Sequence, residues 1–106
     1  MENEETEGIE PGVALEAIEQ GAFLLDVRTK EEFDAGHLPG ATNIPHDQLQ
    51  TKLGELQQVK SKKIILYCKS GGRSQFGTEL LRAAGFKDSW NAGGYKDLLA
   101  HKERLS

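Results

Sequence analysis

Residues 63–74 read Lys63-Ile64-Ile65-Leu66-Tyr67-Cys68-Lys69-Ser70-Gly71-Gly72-Arg73-Ser74. Ile64 to Cys68 is the longest uninterrupted apolar run in the chain. With Lys63 in front it predicts a strand over Lys63–Tyr67, buried on both faces and central in a parallel sheet. Cys68 then stands at the C-terminal end of that strand. Gly71-Gly72 marks a loop, and a helix is expected from about Ser74, burying Phe76, Leu80, Ala83 and Ala84. It should stop at Gly85, with Phe86 folding back on Leu81.

The segments on either side repeat this order. Upstream, Pro11 suits the first position of a helix running through Val13, Ala14, Ala17 and Ile18 to a stop at Gly21. Phe23-Leu24-Leu25-Asp26-Val27 predicts a second buried strand, and Thr29-Lys30-Glu31-Glu32 has the spacing of a capping box that opens a short helix through Phe33. His37-Leu38-Pro39-Gly40 reads as a turn and Ala41 to Ile44 as a brief strand. Asp47 is placed to cap a helix carrying Leu49, Leu53 and Leu56. Downstream, a last strand is expected near Lys87 to Trp90, then a turn at Gly93-Gly94 and a final helix with Leu98 and Leu99. Strands alternating with helices define an α/β fold with a mainly parallel sheet between helical layers.

The chain has 106 residues and a formal net charge of −4, with one cysteine. That length suits one compact domain, here residues 9–106, and a single thiol suits a reducing compartment. The acids are unevenly placed: residues 1 to 10 hold Glu2, Glu4, Glu5, Glu7 and Glu10 and no base. This leader, residues 1–8, is expected to be disordered. Removing those five from the 17 acids leaves 12 against 13 bases, a near-neutral body that argues against a general nucleic-acid binder. Between Glu55 and Glu79 there is no acid, whereas Lys60, Lys62, Lys63, Lys69 and Arg73 supply five positive charges, a local field suited to a small anion. No apolar run approaches the roughly 18 residues of a membrane span, and the first residues lack a signal peptide's pattern, so a soluble, cytoplasmic chain is expected.

The chemistry concentrates at Cys68. Strand-to-helix crevices of open α/β sheets are where ligands bind. The glycines let the amides of Lys69, Ser70, Gly71, Gly72, Arg73 and Ser74 converge as a nest, and the helix start adds partial positive charge. A thiol there should be acidic and therefore nucleophilic, with Arg73 able to hold an oxyanion through two parallel hydrogen bonds. These residues specify a cysteine nucleophile for a small anionic substrate and leave sulfur transfer, phosphate chemistry and arsenate chemistry all open. His37, His46 and His101 lack the spacing of a metal site.

Two motifs narrow the choice. Asp26-Val27-Arg28, Glu31-Glu32-Phe33 and His37-Leu38-Pro39-Gly40-Ala41, together with a cysteine followed by four residues, arginine and serine, resemble the rhodanese family over nearly all of residues 9 to 100. The resemblance implies a single-domain thiosulfate sulfurtransferase with a three-layer rhodanese-like fold and no metal or organic cofactor. In that family four residues between cysteine and arginine accompany sulfur transfer, and related phosphatases have five; Lys69 to Gly72 make four. The implied cycle takes sulfur from a small anionic donor onto Cys68 as a persulfide and passes it to a thiol, cyanide or a sulfur-acceptor protein. Lys69 and Arg73 would aid the departing sulfite, and neither nucleic acid nor membrane is implied as a partner. Asp26 and Arg28 would support the loop as an ion pair, with Glu32 as a further partner. The alternatives are a cysteine-dependent phosphatase or arsenate reductase on the same thiolate, and a noncatalytic rhodanese-like interaction module. Gly93-Gly94-Tyr95 resembles the family's paired glycine turn, but the tryptophan common a few residues later is replaced by Leu98 and Leu99, leaving Trp90 and Tyr95 as candidates to line the mouth of the site.

Overall fold

The computed structural model describes residues 8–105. The expected disordered leader therefore falls, apart from Gly8, outside the described residues. In chain order the helices and strands are α1 (Pro11–Glu19), β1 (Phe23–Asp26), α2 (Lys30–Ala35), β2 (Thr42–Asn43), β3 (Ile64–Cys68), α3 (Gly72–Ala83), β4 (Ser89–Gly94) and α4 (Tyr95–Leu105). All four strands pair in parallel, in the order β2-β1-β3-β4. The apolar strand over Ile64–Cys68 is indeed central.

Alternation along the strands sends side chains to opposite layers. Leu25, Val27, Ile64, Leu66 and Cys68 face one side, where they form a core with Leu49, Leu56, Leu81 and Phe86. Leu24, Ile65 and Tyr67 face the other, packing with Ala14 of α1 and Leu98 of α4, together with Leu38 and Ala92. The helical layers on both faces explain why β3 lacks a polar side. At the start of α2, Thr29 accepts from the Glu32 N–H while the Glu32 carboxylate accepts from the Thr29 N–H, the reciprocal cap the spacing anticipates. Phe86 N–H donates to the Leu81 carbonyl at 2.9 Å after Gly85, as the stop signal requires.

Several expectations are corrected. The segment carrying Leu49, Leu53 and Leu56 is not α-helical but two 3-10 stretches, His46–Gln48 and Gln50–Val59, and Asp47 does not cap it. Neither stretch has a side-chain cap, and Gly54 within the second disfavours an α-helix; burial of Leu49 and Leu56 holds the segment down without α-helical support. Helix α3 begins at Gly72, two residues before Ser74. Its buried stripe is Ser74, Gly77, Thr78 and Leu81, so Phe76 is 49% exposed, edge-on to the His46 ring, and Ala83 is exposed. Lys87 lies outside β4, and Gly93-Gly94 belongs to it. Leu66 pairs with Asn91 and Cys68 with Gly94, so two steps on β3 oppose three on β4. This bulge re-aims the end of β4 toward the cysteine loop.

Candidate active site

Cys68 ends β3 with only 1% of its surface exposed. The turn that follows needs a left-handed residue at Gly71 (φ +103°), which is also the N-cap of α3 and offers no side chain to satisfy the helix's first amides. The sulfur takes that place. Gly71 N–H donates to Sγ at 3.0 Å, Ser74 N–H at 3.4 Å, and the Ser74 hydroxyl lies 3.3 Å from it. Burial by itself would push the thiol up. That effect is outweighed by the Ser74 hydroxyl and by the amides of Ser74, Gly71 and Ser70, so the thiol is held below its ordinary value.

The loop is braced from two sides. From β4, Gly94 approaches so closely that a Cβ there would stand 2.6 Å from the Lys69 carbonyl oxygen. Asn91, also on β4, bonds Gly71, Ser74, Gln75 and Gly93. From α2, Glu32 takes both terminal nitrogens of Arg73, at 2.9 and 3.1 Å. The Arg73 guanidinium holds the Glu32 carboxyl down at about 2, and Arg73 is raised in return. The bidentate partner of Arg73 is thus a carboxylate of the chain itself, and Glu32 pairs with Arg73 instead of Arg28.

Asp26 and Arg28 do form an ion pair, fully in the interior. Arg28 Nη2 meets Asp26 Oδ2 at 2.6 Å, with side-chain exposures of 6% and 0%. Arg28 also donates to the Gly36 carbonyl and lies over the rings of Tyr67 and Tyr95. Asp26 and Tyr67 point to the α1/α4 side of the sheet and Cys68 to the α3 side, so the pair lies across the sheet from the sulfur and does not touch it. Tyr67 donates no contact to the loop either; burial raises its phenol, and its oxygen accepts from the Leu38 N–H.

Lys69 and Ser70 are exposed at the mouth. A cleft of about 220 Å³ opens there, lined by Arg28, Glu32, Ala35, Gly36, Lys69, Tyr95 and Lys96. With Arg28 and Glu32 paired off, Lys69 and Lys96 set its sign. A larger cleft of about 480 Å³, between β1, β2 and the two 3-10 stretches, shares no residue with the cysteine loop. Tyr95 lines the mouth, but Trp90 does not. It sits at the far end of β4 bonded to Asp88 under Arg82. The histidines lie apart, His37 stacked on Phe33, His46 against Phe76 and His101 beside Arg104. Two residues of the site went beyond the sequence reading. Glu32 was legible as a helix cap and as a partner for Arg28 but not for Arg73, and Asn91 signals itself only as an amide between Trp90 and Ala92 in an otherwise apolar stretch.

A parallel α/β sheet with a thiol cradled by backbone amides at a strand end is an arrangement on which a cysteine nucleophile can be built. The rhodanese-like domain family matches residues 10–101, and the chain belongs to it. Among curated proteins, YqhL of Bacillus subtilis, an uncharacterized protein, is 40% identical over 71% of this chain and 59% of its own length. The thiosulfate sulfurtransferase PspE of Escherichia coli is 32% identical, with 74% of this chain and 75% of that protein covered. The chain spans only 22% of the tRNA uridine(34) hydroxylase of Cronobacter sakazakii that it also matches. Among solved structures, the human single-domain sulfurtransferase TSTD1 superposes with a TM-score of 0.78 at 27% identity, covering 88% of this chain and 95% of that one. These relatives support sulfur transfer as the general chemistry. Among the described residues no helix is long and apolar enough to cross a membrane.

Proposed function

We propose that the protein is a thiosulfate sulfurtransferase working through a persulfide on Cys68. The observation that carries this reading is the convergence of the Ser74 hydroxyl and the Gly71 and Ser74 amides on one sulfur, which favours an anion at that atom. The Cys68 thiolate attacks the outer sulfur of thiosulfate. A Cys–S bond forms, the S–S bond of the donor breaks, and its electron pair leaves on sulfite. An incoming thiolate or cyanide then attacks the outer persulfide sulfur and returns Cys68 as thiolate. Loop amides and the start of α3 stabilise the anionic sulfur, and Lys69 supplies the field that a dianion meets. Arg73, occupied by Glu32, fixes the loop to α2. A reducing compartment such as the cytoplasm keeps the thiol available.

Intact mass spectrometry tests this. Thiosulfate should add the mass of one sulfur atom, cyanide should remove it with formation of thiocyanate, and the loading rate should rise with pH through an inflection below the ordinary thiol range. Hydrolysis of a phosphate ester without any sulfur adduct would overturn the reading. A second expected result concerns β4. Gly94→Ala forces the Lys69 carbonyl aside, and misplacing a site by about 1 Å can cost on the order of a hundredfold, so loading should slow by roughly that factor while the far-UV spectrum stays native.

A further inference from the structure

The Asn91 side chain is nearly enclosed, with 9% of the residue exposed, and all of its hydrogen-bonding capacity is used. Oδ1 accepts from the Ser74 hydroxyl at 2.6 Å and from the Gly93 N–H at 2.9 Å. Nδ2 donates to the Gly71 carbonyl at 3.1 Å and to Gln75 Oε1 at 3.2 Å. One amide therefore ties together the cysteine loop, the first turn of α3 and the bulge of β4. Its own backbone is anchored, since it pairs with Leu66 in the sheet and its carbonyl accepts from the Ile9 N–H at 2.8 Å.

Ser74 makes the arrangement more than a brace. Its hydroxyl has one proton and three acceptors in range: Asn91 Oδ1, Cys68 Sγ at 3.3 Å and the Gly71 carbonyl at 3.2 Å. Beside a neutral thiol the short bond to Asn91 takes that proton. Beside an anionic sulfur a charged acceptor outcompetes a neutral one, and the hydroxyl can turn to Sγ. Asn91 Oδ1 still keeps the Gly93 N–H, so no buried acceptor is orphaned by the change.

We infer that Asn91 is a positioning residue of the sulfur site, holding Gly71 and Ser74 so that their donors reach Sγ and parking the Ser74 proton when the sulfur is uncharged. The inference rests on the proposed sulfur chemistry for its role but not for its measurement, because the thiol can be titrated without any donor. The charged groups facing the loop are Lys69, Arg73 with Glu32 from α2, Lys96 of α4, and the Asp26–Arg28 pair at the end of β1; the variants below leave all of them in place.

The experiment compares Asn91→Ala and Asn91→Asp, each in the wild-type and Ser74→Ala backgrounds. Thiolate ultraviolet absorbance gives the Cys68 titration, and timed mass spectra give loading from thiosulfate. Asn91→Ala should move the titration up by about one pH unit and slow neutral-pH loading roughly tenfold. Asn91→Asp is nearly isosteric. It places a carboxylate against the Gly71 carbonyl and near the thiolate, so its shift should be larger, and it decides alone if the alanine variant does not fold. In the Ser74→Ala background the Asn91→Ala effect should shrink to about threefold or less, since residues acting through one another are not additive. A lowered melting temperature with unchanged titration and loading, or effects additive with Ser74→Ala, overturns the inference. If the wild type takes up no sulfur while Asn91 variants still shift the titration, the sulfurtransferase reading fails and the positioning role stands.

Discussion

Cys68→Ser is expected to abolish thiocyanate formation from thiosulfate and cyanide, a loss on the order of a thousandfold or more for removal of a nucleophile that the rest of the site cannot replace. The reason is the atom and not the fold. A serine oxygen at this position can still accept from the Gly71 and Ser74 amides and so still serve α3 as its cap, but a hydroxyl is not ionised near neutral pH and makes no persulfide. The far-UV spectrum should therefore match the wild type, and intact mass after thiosulfate should show no added sulfur. Turnover above the uncatalysed background in the serine variant would place the nucleophile elsewhere. No second cysteine exists to take over.

The second large effect is on stability. Asp26→Asn should destabilise the protein by about 3–5 kcal/mol, read as a lower urea midpoint, because it leaves the Arg28 charge in the interior without its counterion. In the intact protein that guanidinium has Asp26 on one edge, the Gly36 carbonyl on another and aromatic rings against it. Replacing both ionic residues with apolar ones should recover much of the loss, since removing the pair together leaves no buried charge. A double variant no more stable than Asp26→Asn would show that the pair contributes through geometry and not through charge compensation. With typical domains only about 5–15 kcal/mol stable, Asp26→Asn brings the chain near unfolding, although it never touches the sulfur.

The α/β order was legible because the signals that set it are local: apolar runs at Phe23–Val27 and Ile64–Tyr67, the Thr29 capping box and the stop at Gly85. The site was legible for Cys68 and its loop because those residues are contiguous. Expectations failed where long-range packing decides. Phe76 has the spacing of a core residue, yet the inward stripe of α3 is fixed by small residues against β3. Leu49, Leu53 and Leu56 are spaced by four and three residues, which reads as an α-helical face; only the three-residue step also fits a 3-10 turn, and Leu49 sits at the junction between the two stretches. Gly93-Gly94 is a turn signal in isolation and a bulge only when β3 is beside it. Arg73 looks free to grip a substrate until α2 brings Glu32 to it across 41 positions of sequence. Asn91 could not be singled out, since apart from the nearby Gly93 N–H its partners arrive through the fold.

The sheet's two borders bear on how other macromolecules can come to this protein. On one side β2 is two residues long, and on the other the Asn91 carbonyl of β4 is already taken by the Ile9 N–H. Unpaired edges invite strand addition and aggregation, and brevity or a covering segment blunts them. Among the described residues neither border offers a long open ribbon for an incoming strand. A protein collecting sulfur here would dock by side chains around the lysine-flanked cleft, in a contact that can part again after each transfer, and the concentrated chain should resist edge-to-edge polymerisation.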